Sequence, residues 1–198
     1  MQRAVIRRAA AIAAICTAMV AVHLINLLLG GYLDNFGIHP RDVESGYTIL
    51  TAPWLHEDFA HLGNNLATFV VLAGLCMLNG LRYFLKASML IILLSGALLW
   101  LFGRGGNHLG ASGWIFGLWS LTIALAWFDR SYRNIAIALA VLFFYGGLFW
   151  GILPTDSHIS FEGHFFGALA GGVAAFVLGN PRKAVAPSVP APQVKFWS

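Results

Sequence analysis

Four side chains in this chain have types and spacings that could carry out chemistry together: Ser112 within Gly110-Ala111-Ser112-Gly113, His164 beside Gly163, Gly167 and Gly171, and the pair His61 and Asn65. A serine hydroxyl is a weak nucleophile and needs a base within hydrogen-bond reach. The tetrahedral intermediate it forms needs preorganised donors for its oxyanion. Ser112 opens an apolar run, and the start of a helix leaves backbone N–H groups unpaired, with a dipole that favours negative charge. His61 and Asn65 lie four apart, so they stack on one helix face, and both can donate. Nucleophile, base and oxyanion donors for acyl transfer are thus all on hand. Taken singly, a serine beside glycine in a membrane helix is ordinarily a packing or back-bonding residue, and a histidine near a helix end is ordinarily structural. The combination carries the reading.

The elements that must position these groups are apolar. With 59% hydrophobic and 10% charged residues, the chain is far from a soluble average of about a quarter charged. Six apolar runs occupy residues 9–29, 62–78, 84–102, 114–128, 135–153 and 165–178. Their lengths suit membrane helices, so the expected fold is all-α, a polytopic bundle of six transmembrane helices. The fourth run is short: its fifteen residues before Asp129 span about 22 Å against a hydrocarbon core of about 30 Å. Ser112 then lies below the membrane surface, and polar, irregular backbone at that depth requires a cavity. A polar group held there is a functional-site candidate.

The division expected is a basic N-terminus over residues 1–8, a membrane domain over 9–179, and a flexible Pro- and Ala-rich tail over 180–198. If the N-terminus is inside and the runs alternate, ten of the twelve Lys and Arg fall on the inner side, leaving only Arg41 and Arg104 outside. That bias predicts both termini in the cytoplasm, the site opening to the periplasmic or extracellular side of the cell membrane, and a lipid bilayer as partner. The net charge of +4 is then topology and not a nucleic-acid footprint. The first run is too long for the apolar core of a signal peptide and reads as a retained helix.

The remaining polar residues have plainer expectations. His23 and Asn26 share a face of the first helix and suit interhelical hydrogen bonds, and residues 30–60 form a long loop that is partly structured or functional. His56 reads as a structural hydrogen bonder, Asn64 as a packing or interface residue, His108 and His158 as solvated loop residues either of which could line the cavity, and Glu162 as a capping or exposed acid. Cys16 and Cys76 lie in separate spans and suit apolar packing. A zinc helix needs two histidines four apart, whereas His56 and His61 are five apart, so no metal site is expected. A transporter is disfavoured, because the runs contain no chain of ionisable residues.

The strings His56-xxxx-His61-xxx-Asn65, Gly110-Ala-Ser112-Gly and Gly163-His164-xx-Gly167-xxx-Gly171, in that order on the second, fourth and sixth runs, resemble the rhomboid family of intramembrane serine proteases. The likeness extends over residues 30–179, including Asn35-Phe-Gly-Ile-His-Pro40 and Leu50-Thr-Ala-Pro53. It implies Ser112 as nucleophile and His164 as general base and then acid. His61, Asn65 and the backbone near Ala111 and Ser112 would form the oxyanion site. Transmembrane segments of other proteins would be the substrates, with no cofactor. Phe116 stands where the family often has tyrosine, and an aromatic face there can still pack on His164. The first outer loop lacks the Trp-Arg pair of some members. The alternative within the same resemblance is a proteolytically silent relative that only binds transmembrane helices.

Overall fold

A computed structural model of the chain describes residues 2–154 and 160–179. Its α-helices are α1 Gln2–Leu28, α2 Phe59–Cys76, α3 Leu81–Phe102, α4 Ser112–Phe128, α5 Tyr132–Tyr145 and α6 Phe161–Leu178. Five stretches are long and apolar enough to cross a bilayer, α2 and α5 being prolonged by 3₁₀ turns to Asn79 and Ile152, whereas α4 has only 17 residues. The chain is a multi-pass membrane protein, an all-α bundle with a short fourth helix.

Capping explains where several helices begin earlier than the apolar runs. The Asp58 carboxylate accepts the His61 backbone N–H at 2.7 Å and starts α2. The Ser160 hydroxyl accepts the Gly163 N–H at 3.3 Å and starts α6. Each satisfies a donor that the first helical turn leaves unpaired. At the N-terminus α1 begins at Gln2, ahead of the apolar run. The basic stretch 2–8 is helical and continuous with α1, since Gln and Arg are good helix formers. At 27 residues the helix is about 40 Å long, longer than the roughly 30 Å hydrocarbon core needs. The tail over 180–198 and His158 lie outside the described residues.

The bundle is organised by glycine. α4 runs through its centre, with Leu118 and Leu121 fully buried, and packs most closely against α6. A Cβ on Gly167 would strike the Gly113 carbonyl, and one on Gly171 the Gly117 carbonyl and the Ser120 hydroxyl. The α6 glycine stripe therefore meets a second line of small residues, Gly113, Gly117 and Ser120, and Ser120 Oγ donates to the Ala168 carbonyl at 2.6 Å. Lipid is as apolar as leucine, so such close backbone approach is what holds membrane helices together. On α4's other side Trp114 packs edge-on against Phe69 at 4.6 Å and donates its indole N–H to Ser88 Oγ at 2.9 Å. α1 and α5 are peripheral, 17% and 11% buried over their apolar windows against 39% for α2, α3 and α6.

The long loop is structured, with 3₁₀ turns at Tyr32–Phe36, Val43–Ile49 and Ala52–Trp54. Asn26 of α1 fastens its start, donating to Asp34 Oδ1 and accepting from the Leu33 N–H, both at 2.8 Å. Arg41 N–H donates to the Trp100 carbonyl and the Trp100 indole to the Asp42 carbonyl, each at 2.8 Å. Ile38 and His108 exchange backbone hydrogen bonds of 2.8 and 2.9 Å, and Gly110 N–H donates to the Ala52 carbonyl at 2.9 Å. The loop's role in the fold is to grip the segment that leads into α4.

Candidate functional site

Ser112 is the first residue of α4, and no side chain caps that helix, whose N-cap is the buried Ala111. The N–H groups of the first turn therefore carry the unshared partial charge of the helix beside the hydroxyl. The approach to Ser112 turns at Gly110, where φ is 119°, in the region that favours glycine. A Cβ there would sit 2.7 Å from His61 Nε2, so the same glycine makes room for the imidazole of α2.

His164, in the first turns of α6, is held from two directions. Its Nδ1 lies 2.9 Å from the Gly151 carbonyl. A carbonyl only accepts, so Nδ1 carries the proton of the neutral ring and Nε2 is the unprotonated, basic nitrogen. The ring lies flat on Phe116, with centroids 4.1 Å apart and planes 7° from parallel. The missing tyrosine hydroxyl thus leaves the expected aromatic support in place.

Ser112, His164, His61, Asn65 and Phe116 all line one cavity of about 430 Å³. One amide hydrogen of Asn65 goes to the His61 carbonyl at 2.8 Å, which leaves its second for the cavity. Among the described residues no hydrogen bond joins Ser112 Oγ to His164; such bonds commonly tighten only when substrate is bound. A hydroxyl, an unprotonated imidazole nitrogen and uncapped N–H groups on one cavity wall are the components of nucleophilic acyl transfer.

Several expectations for neighbouring residues need correction. His108 is not solvated but lines the same cavity, the other role its sequence allowed: it is buried, its Nε2–H donates to the Arg104 carbonyl at 3.0 Å, and Ser160 Oγ donates to its Nδ1 at 2.7 Å. Through Ser160 it braces the cap of α6, the helix that carries His164. Glu162 is buried in the first turn of α6 and ion-paired with Arg104, Oε1 to Nε at 3.1 Å. Asn64 borders the cavity instead of packing into a helix interface.

His56 also differs from its expected role. It is fully buried, its ring nitrogens make no hydrogen bond of good geometry among the described residues, and the Trp54 backbone is the polar group that favours its charged form. Its backbone carbonyl, not its ring, makes the bond, accepting from His23 Nδ1–H at 3.1 Å. The His56 ring stands edge-on to His61 at 5.2 Å. Burial, reinforced by the nearby His61, pushes its pKa down from 6.5 to about 4. Because the folded state favours the neutral ring, the stabilisation is complete above pH 6.5 and is lost as pH falls toward 4. A shift of that size corresponds to roughly 3 kcal/mol. Unfolding in detergent, followed by circular dichroism, is expected to become easier over that window, and a His56→Phe variant should lose most of the dependence.

Reading the sequence alone missed Gly117, Ser120 and Gly151. Gly117 follows Gly113 by four, the same spacing as the α6 stripe, and that repeat was the available signal. For the Gly151 carbonyl there was none.

A family model of the Rhomboid domain matches residues 43–181. Uncharacterised proteins of Mycobacterium tuberculosis and Mycobacterium bovis are each 38% identical to this chain over 171 residues, covering 82% of it and 71% of their own length. An uncharacterised protein of Mycobacterium leprae is 34% identical over 171 residues, covering 82% of this chain and 68% of its own.

Proposed function

Since the chain belongs to the rhomboid family, we propose that it is an intramembrane serine endopeptidase that cuts transmembrane segments of other membrane proteins with Ser112 and His164. The observation that carries this reading is that the uncapped start of α4 presents Ser112 to the same cavity as an imidazole whose free nitrogen is Nε2. Ser112 Oγ attacks the substrate carbonyl carbon while His164 Nε2 takes the hydroxyl proton. The oxyanion is held by N–H groups at the start of α4 and by the second amide hydrogen of Asn65, with His61 closing the same wall. His164 then gives its proton to the leaving amine as the C–N bond breaks. Water, activated by the same nitrogen, releases the acyl group from Ser112.

The charge bias supports an orientation with both termini in the cytoplasm and the site opening to the outer face. At that depth a substrate helix must unwind before its backbone can be attacked, because an intact helix buries its carbonyls in its own hydrogen bonds.

The test is labelling of the protein in lipid vesicles with a mechanism-based serine reagent, followed by peptide mapping. Modification at Ser112 alone is expected; a protein that binds transmembrane helices yet resists the reagent would point to a relative that does not cleave. Asn65→Ala is expected to slow cleavage by about 10²-fold, most of it in kcat, because one oxyanion donor is withdrawn. Its effect on labelling in the unfolded protein should be nil.

A further inference from the structure

We infer that Gly151 is a positioning residue for His164: its carbonyl fixes the imidazole tautomer, and its lack of a side chain is what lets that carbonyl reach the ring. The inference rests on the reading of His164 as the base. Gly151 belongs to the 3₁₀ turn Gly146–Ile152 that ends the fifth span. That span is 11% buried over its apolar window, the least of the five. Its outer end nonetheless touches the centre of the site.

One contact is tight enough to favour glycine here, the one to Phe116; the distance to His164 is an ordinary contact. A Cβ on Gly151 would lie 2.8 Å from Phe116 Cζ and 3.4 Å from His164 Nδ1. Phe116 is buried and already flat against His164 at 4.1 Å, so it cannot turn aside without carrying the imidazole with it. The neighbouring glycines of the same turn differ: a Cβ on Gly146 or Gly147 meets nothing within 4 Å. The tight spot is thus confined to the residue whose carbonyl accepts from His164 at 2.9 Å. With the carbonyl in place, a neutral imidazole has one arrangement, Nδ1 protonated and Nε2 open toward the cavity. Once it is withdrawn, the proton can sit on Nε2, and the base is lost from that fraction of molecules. The role is that of the buried carboxylate in a three-member serine site, filled here by a backbone dipole.

Nitrogen NMR on full-length protein with isotope-labelled histidine, reconstituted in lipid bilayers, reads this directly; His164→Ala assigns the signal. At neutral pH the wild type is expected to show Nδ1–H, and Gly151→Ala a substantial Nε2–H population with kcat lowered about 10- to 100-fold at little-changed KM. Gly147→Ala should match the wild type in both. If Gly151→Ala does not fold, the double variant Gly151→Ala/Phe116→Leu relieves the collision and is compared with Phe116→Leu alone. A wild-type Nε2–H signal, or a Gly151 variant with unchanged tautomer and unchanged kcat, overturns the inference. Failure of Ser112 to label in the wild type would instead strike the protease reading, since the tautomer is measured without turnover.

Discussion

Ser112→Ala is expected to abolish cleavage of a transmembrane substrate, by more than about 10⁴-fold, while the protein stays folded. The two halves of that result have separate grounds. Without the hydroxyl no acyl intermediate forms, and the helix-terminal donors that remain cannot supply a nucleophile. Stability should hardly change, because Ser112 Oγ makes no hydrogen bond among the described residues and alanine suits a helix start in which no side chain caps. His164→Ala should lose activity to the same degree, and the double variant no more than either single one, since the two act as a unit. It should also lose some stability, because it removes the stack on Phe116 and the bond to Gly151. Substrate cleavage in proteoliposomes, beside thermal unfolding in detergent, checks all three. Residual cleavage by Ser112→Ala above the reagent-blocked background would sink the assignment of the nucleophile.

Gly167→Leu should be the most damaging substitution for the fold. Even a single methyl at Gly167 meets the Gly113 carbonyl, which is backbone and cannot swing aside, so α4 and α6 must separate. Overpacking of a flexible core costs about 1–3 kcal/mol, and a clash between two backbones should exceed that. The paired control lies five residues on: a Cβ on Gly172 meets nothing within 4 Å, so Gly172→Leu should stay within about 0.5 kcal/mol of the wild type. Equal melting temperatures for the two variants would refute the account of the α4–α6 interface. Separation of these helices also moves Ser112 relative to His164, so Gly167→Leu should lose activity along with stability.

The fold and much of the site could be read before any coordinates, and the failures share a cause. Runs of apolar residues and the glycine spacing are local patterns, and they located the six helices, the short fourth one and the α6 stripe. Ser112, His61, Asn65 and His164 were singled out as candidates from the chemistry and spacing of their own segments, and the structure brings all four to one cavity. His108 was read as solvated and Glu162 as capping or exposed because their flanks are loop-like, yet each has a partner distant in the chain that helps bury it: Ser160 for the first and Arg104 for the second. His56 sits in a polar stretch, Glu57 and Asp58 following it, which disguised a fully buried ring. Gly151 left no local signal, since the side chains that make its carbonyl and its missing Cβ matter, Phe116 and His164, are distant in the chain.

The meeting of small residues between α4 and α6 also bears on how the molecule comes apart. Glycine and alanine have no rotamers to freeze, so bringing these two helices together costs next to no side-chain entropy, whereas docking the Leu-, Ile- and Phe-bearing faces of α1 and α5 does. In a bilayer the separated helices keep their own backbone hydrogen bonds, so glycine's usual entropic handicap is not incurred at this step. On heating, the outer helices should therefore detach first and the α4–α6 pair last, leaving the serine and the imidazole neighbours in the final surviving piece.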